Sequence, residues 1–131
     1  MSPKAALWGR FHGKVVTEWL SSDGEDRRMK LHPDTDLMFE RFTGDTIRAK
    51  VGLEFDGASI PVWAWVFIGS PFTGKFRKAA VIHDTLCHPE CRDRPAREAH
   101  RLFYEMARSL GVGRFRASLM YRALLIGGSK W

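Results

Sequence analysis

The sequence predicts an α+β domain, with a small antiparallel β-sheet from the N-terminal half followed by a cluster of three main α-helices. Two observations predict it. Alternating and β-branched apolar stretches crowd into residues 14–55, separated by turn residues, as half-buried strands require. After Pro61 the apolar residues recur every three or four positions, the period of a helix with one buried face. With 131 residues, residues 1–131 are read as a single domain with one core.

The strands come first. "KVVTEWL" (Lys14 to Leu20) is rich in β-branched residues, and "SSDGED" after it marks a turn or loop. "DLMFERF" (Asp36 to Phe42) sets Leu37, Phe39 and Arg41 on one side and Met38, Glu40 and Phe42 on the other. "TGD" is a turn. "TIRAKVGLEF" then alternates Ile47, Ala49, Val51 and Leu53 against Arg48 and Lys50.

The helices follow. Phe76, Ala80, His83 and Cys87 share one helical face, with Ala79, Ile82 and Leu86 beside it. Asp93 is placed to cap the next helix, with Pro95 in its first turn. Ala96, Ala99, Phe103, Met106 and Leu110 form its apolar stripe, and Gly111 closes it. "RFRASLMYRALLIGG" is the last helix, ending at Gly127–Gly128. "SIPVWAWVFIGSPF" (Ser59 to Phe72) reads as core because a domain this small needs large buried side chains, the alternative being an interfacial surface.

The stretch "AAVIHDTLCHPEC" (Ala79 to Cys91) carries the candidate chemistry. The connection over residues 88–93 is short, so its flanking helices are antiparallel neighbours. At 1.5 Å per residue, His83 and His100 stand at similar heights, roughly 8 and 10 Å from the connection. Both border apolar stripes, so they approach each other, with Asp84 one step round the helix. A histidine poised near neutral pH beside a carboxylate suits general-base chemistry, and the same pair can also simply brace a helix end. His83, Cys87, His88 and Cys91 offer zinc-ligand types, but "H-x3-C-H-x2-C" matches no standard zinc pattern and comes from one short segment. Stoichiometric zinc is therefore not expected. Two cysteines are too few for a disulfide framework.

Bulk composition narrows the class. No stretch nears the roughly 20 apolar residues of a membrane span, and "MSPKAALWGRFHGK" lacks an apolar signal-peptide segment. Net charge is +6, from 21 Lys/Arg and 15 Asp/Glu. Residues 1–65 hold nine Lys/Arg against ten Asp/Glu, and residues 66–131 hold twelve against five. The basic half can meet phosphate groups or present a solvated helical surface. No nucleic-acid motif accompanies it.

"FDGASIP" (Phe55 to Pro61), "GKFRKAAVIHDTL" (Gly74 to Leu86) and "RPAREAHRLFYEMARSLGV" (Arg94 to Val112), with Met120, Tyr121 and Trp131 beyond, resemble the phage and prophage proteins of domain-of-unknown-function family 1353. That resemblance implies a phage gene, with other phage structural proteins as partners, synthesis in the host cytoplasm and a place in the virion. The His-Asp pair and its facing helix are also similar to the secreted phospholipases of the A-two class. That similarity implies His83 as the water-activating base, Asp84 as a calcium ligand, and an orienting acidic residue at position 100. His100 stands there instead, Cys87 replaces an aromatic, and a calcium-binding glycine loop is not recognisable. The negative charge that would steady His83 then falls to Asp56 of the "DGAS" turn. The expected function is a virion- or tail-associated accessory protein with a degenerate site at His83, Asp84, Asp56 and His100. The alternative is a small metal-assisted hydrolase acting on an ester or phospholipid of the cell envelope.

Overall fold

A computed structural model describes residues 7–19, 29–55 and 76–131. Six short strands precede three helices: β1 (Gly9–His12), β2 (Thr17–Trp19), β3 (Met29–Leu31), β4 (Met38–Arg41), β5 (Thr46–Arg48), β6 (Glu54–Phe55), α1 (Arg77–Cys87), α2 (Ala96–Ser109) and α3 (Arg114–Gly127). The α+β class is as the sequence predicts. The strands, however, pair as two three-stranded antiparallel sheets, β1-β4-β5 and β2-β3-β6.

The first sheet forms around Phe39. Its cross-strand neighbours are Phe11 on β1 and Ile47 on β5, and the Phe11 and Phe39 ring centroids lie 4.9 Å apart. Leu37, Phe39 and Ile47 are buried while Met38 and Glu40 are half-exposed. This is the alternation read from residues 36–42, and it turns Arg41 toward the helices. The long strand expected over residues 46–55 is broken. Val51 and Gly52 form a turn with Gly52 at φ +83°. Ala49 donates to the Leu37 carbonyl before that turn, and Gly52 donates to the Leu31 carbonyl within it, so the segment passes from one sheet to the other.

Gly9 allows β1 to lie against β4. It holds φ +135°, and a Cβ there would sit 2.4 Å from the Glu40 carbonyl oxygen and 2.7 Å from Phe39 Cζ. Gly9→Ala is expected to destabilise the fold by about 2 kcal/mol, the scale of a forced unfavourable backbone, read from urea denaturation midpoints. An unchanged midpoint would show that β1 does not approach Phe39 this closely.

The helices cover this sheet. α2 packs against α1, α3 and β1, so it is the central element. Its buried residues include Ala99, Leu102, Phe103, Met106 and Ala107, while Arg97, Glu98 and Arg101 face solvent. α3 buries Ala117, Met120, Ala123 and Leu124. Gly111, at φ +90°, follows Leu110 and ends α2, a left-handed position that glycine takes at little cost.

Asp93 does not cap α2. Pro95 occupies the N-cap with ψ 148°, so the helix begins only at Ala96. A residue before proline is driven to extended backbone, and here the proline itself stays extended too. Asp93 instead accepts a hydrogen bond from Arg94 Nε at 3.1 Å. The aromatic stretch 59–72, the 21–26 turn and Asp56 lie outside the described residues. Among the described residues, no helix is long and apolar enough to cross a membrane.

Candidate functional site

The site is built where α1 and α2 face each other. α1 is a helix of small and aliphatic residues, and among its buried positions are Ala79, Ala80, Ile82, His83, Leu86 and Cys87. Its C-terminal cap is His88, in extended conformation. The chain then makes one 3₁₀ turn, Pro89–Cys91, and returns as α2. The result is the antiparallel pair expected from the short connection.

His83 and His100 meet directly. His83 Nε2 lies 2.8 Å from His100 Nδ1, and His100 Nε2 lies 2.8 Å from the Ser129 carbonyl oxygen. A carbonyl only accepts, so His100 carries its proton on Nε2 and presents Nδ1 as an acceptor. His83 must then donate from Nε2, which makes its Nδ1 the acceptor nitrogen. One chain of hydrogen bonds thus runs from α1 through α2 to the segment after α3.

The environment is nearly dry. His83 is 0% exposed and His100 2%. Burial pushes His83 down from 6.5 to about 3, and the neighbouring His100 adds to the effect. Burial also lowers His100, against the opposing hydrogen bond to Ser129. The Phe103 ring stands edge-on to His83, with centroids 5.3 Å apart.

Cys87, one turn beyond His83, joins the pair. Its Sγ lies 3.6 Å from His83 Nε2 and 3.9 Å from Nδ1. Burial pushes the thiol up to about 12; the charge of Asp84 acts in the same direction, while Arg92 and the Ser129 hydroxyl oppose it. Asp84 itself is half-buried and engaged.

Residues beyond the helices close the cluster. The Trp131 indole donates to the Arg94 carbonyl at 2.7 Å. The Arg92 guanidinium lies 4.5 Å above the Trp131 ring and donates through Nε to the Cys87 carbonyl at 3.0 Å. Gly128 passes over His100 so closely that a Cβ would come 3.2 Å from His100 Cε1 and 2.5 Å from the Leu124 carbonyl oxygen.

The structure therefore brings together His83 and His100, as helix geometry predicts, with Asp84 beside them. Asp56 lies outside the described residues. The four-residue zinc set is not formed. Among the described residues, the cluster of potential metal ligands is His83, Cys87 and His100. His88 instead accepts from the Glu90 backbone through Nδ1, because the extended cap turns it out of the helix face. Among the described residues the converging donors at the pair are two imidazoles and a thiol. That set does not fit calcium, which takes six to eight oxygens. Ser129, Arg92 and Trp131 were not legible as site residues, since the Ser129 backbone carbonyl that meets His100 leaves no mark in the sequence.

Fold and site define a small α+β domain with a buried histidine pair clasped between antiparallel helices. The chain belongs to the family described as "Protein of unknown function (DUF1353)", which matches residues 32–124. It is 35% identical over 127 residues to the uncharacterized protein y4jT of Sinorhizobium fredii, covering 97% of this chain and 36% of that protein. It is 38% identical over 76 residues to the uncharacterized protein y4iH of the same organism, covering 58% of this chain and 31% of that protein. The chain thus spans about a third of the length of these curated relatives. No solved structure matches it.

Proposed function

We propose that this chain is a virion- or tail-associated accessory domain of a phage or prophage, and that its His83–Asp84 pair is a degenerate, non-hydrolytic site. One observation carries the second part. The group across from His83 Nε2 is the buried, neutral His100 at 2.8 Å, not a carboxylate. A general base works best with a pKa near the operating pH. His83, held down at about 3 and facing a second imidazole at Nε2, has little capacity to take a proton from water. The phage assignment is supported by the motif resemblance. The chain matches about a third of each longer relative, which supports a role as one module of a larger protein; the proposed partners are other phage structural proteins.

One observation favours a second reading, a small hydrolase of ester or phospholipid bonds. Donation from His83 Nε2 to His100 makes Nδ1 the accepting nitrogen, which is the orientation a water-activating histidine needs.

The test compares the wild type with His83→Gln, which keeps volume and a hydrogen-bonding end but cannot accept a proton at neutral pH. Both would be assayed on ester and phospholipid panels, with and without calcium, beside thermal melts. The accessory reading expects no turnover by either protein, and the chain present by mass spectrometry in purified phage particles. Wild-type turnover that falls about 100-fold or more in folded His83→Gln, the usual contribution of proton transfer, would replace it with the hydrolase.

A further inference from the structure

We propose that His83, Cys87 and His100 bind one soft closed-shell cation, zinc(II) or copper(I), between α1 and α2 beneath Ser129. This goes beyond the accessory reading and does not depend on it.

The donor set is convergent and comes from two elements. His83 and Cys87, four residues apart on α1, project from one face. His100 reaches them from α2, and the candidate ligand atoms of all three lie within 4.8 Å of one another. Tetrahedral zinc, with bonds of about 2.0–2.1 Å to nitrogen and 2.3 Å to sulfur, sets its nitrogens about 3.3 Å apart and nitrogen from sulfur about 3.6 Å. The Cys87 Sγ to His83 Nε2 separation is already 3.6 Å. The histidine nitrogens, at 2.8 Å, need to part by about half an ångström, a side-chain adjustment on the scale of the bond lengths involved.

The outer shell is in place. Histidines that bind metals through one nitrogen almost always donate from the other to a carbonyl or carboxylate. His100 does so, from Nε2 to the Ser129 carbonyl at 2.8 Å, and this leaves Nδ1 as the donor atom facing the cluster. His83 binds through Nε2 once its proton moves to Nδ1. Cys87 binds as the thiolate, and its proton leaves to solvent. Charge balances locally as well. Zinc with one thiolate carries a single net positive charge, and the Asp84 carboxylate is close enough to act electrostatically on the Cys87 sulfur.

The donors select the class of ion. Two imidazoles and a thiolate suit zinc and copper, whereas magnesium, calcium and manganese prefer oxygen. Three protein donors satisfy three-coordinate copper(I), or zinc with one further non-protein ligand. The burial of all three residues, Cys87 at 6% exposed being the least covered, points to loading during folding or on displacement of the segment after α3.

The full chain, stripped of metal and reduced, would be titrated anaerobically against chromophoric chelators, with zinc(II) in one arm and copper(I) in the other. Cobalt(II) serves as an optical probe of thiolate ligation. One ion per chain and a thiolate-to-cobalt charge-transfer band are expected. Cys87→Ser and His100→Gln should each weaken binding at least tenfold, since even loss of an outer-shell partner costs about 10–100-fold. Cys91→Ser and His88→Gln should bind like wild type. Melts of the metal-free variants identify any that fail to fold, and for such a variant the wild-type cobalt spectrum decides. No stoichiometric binding of either ion, a cobalt complex without a thiolate band, or loss of binding on Cys91→Ser would overturn the site.

Discussion

Replacing Arg41 by methionine is expected to destabilise the protein by about 3–5 kcal/mol, the cost of stranding a buried charge. The charge is Glu105, 2% exposed on the inner face of α2. Arg41, near the end of β4, supplies its counter-ion in a two-pronged contact, from Nε to Oε1 at 3.2 Å and from Nη2 to Oε2 at 3.0 Å. Such a paired geometry is the strong form of the arginine–carboxylate bond. Methionine keeps much of the length and apolar stem of Arg41 but offers Glu105 no donor. Asp45 and Glu98, within 4 Å of the same guanidinium at 3.6 and 3.8 Å, lose a partner too, but both are largely in solvent and add little. Removing both buried charges tells a different story. Arg41→Met with Glu105→Leu leaves no stranded carboxylate, so most of the lost stability should return. Urea unfolding of the two single variants and the double variant closes the cycle. A double variant as unstable as Arg41→Met alone would show that the damage lies in packing.

This pair marks the boundary of what the sequence made legible. The alternation Leu37, Phe39, Arg41 places Arg41 on the inner side of its strand, and the structure agrees. The identity of its partner, 64 residues away, depends on how α2 lies across the sheet, and no local pattern carries that. β1 was missed for a related reason. "GRFH" has no run of β-branched residues, and it becomes a strand because Phe11 pairs opposite Phe39. β3, three residues long, is too short to show a period. The histidine pair was legible because it needs only helix rise and a short connection. The metal-type cluster was partly legible. Cys87 shares a face with His83, but counting along the chain recruited His88 and Cys91, where the fold recruits His100. An extended residue at the end of α1 made the difference.

Acid should destabilise the metal-free protein through His83 more steeply than its surface charges would suggest. In the unfolded chain His83 titrates near 6.5, and in the folded protein near 3. The folded state therefore holds the neutral form while the unfolded state takes up a proton. The stabilisation is complete above pH 6.5 and is lost progressively as pH falls from there toward 3. Each pH unit in that window costs about 1.4 kcal/mol, so the loss between pH 7.5 and 4.5 is about 3 kcal/mol from this residue. His100, also lowered, acts in the same direction. His83→Gln removes the first contribution, because glutamine has nothing to titrate. At pH 7.5 the variant should be less stable than wild type by about 1–3 kcal/mol, for its imperfect replacement of a buried hydrogen bond. As pH falls, wild type loses stability faster, and the two should converge or cross near pH 4.5. Urea denaturation at several pH values between 7.5 and 4.5 measures both lines. Parallel lines would show that His83 is not held neutral in the fold, and would restore to it the proton affinity a general base requires.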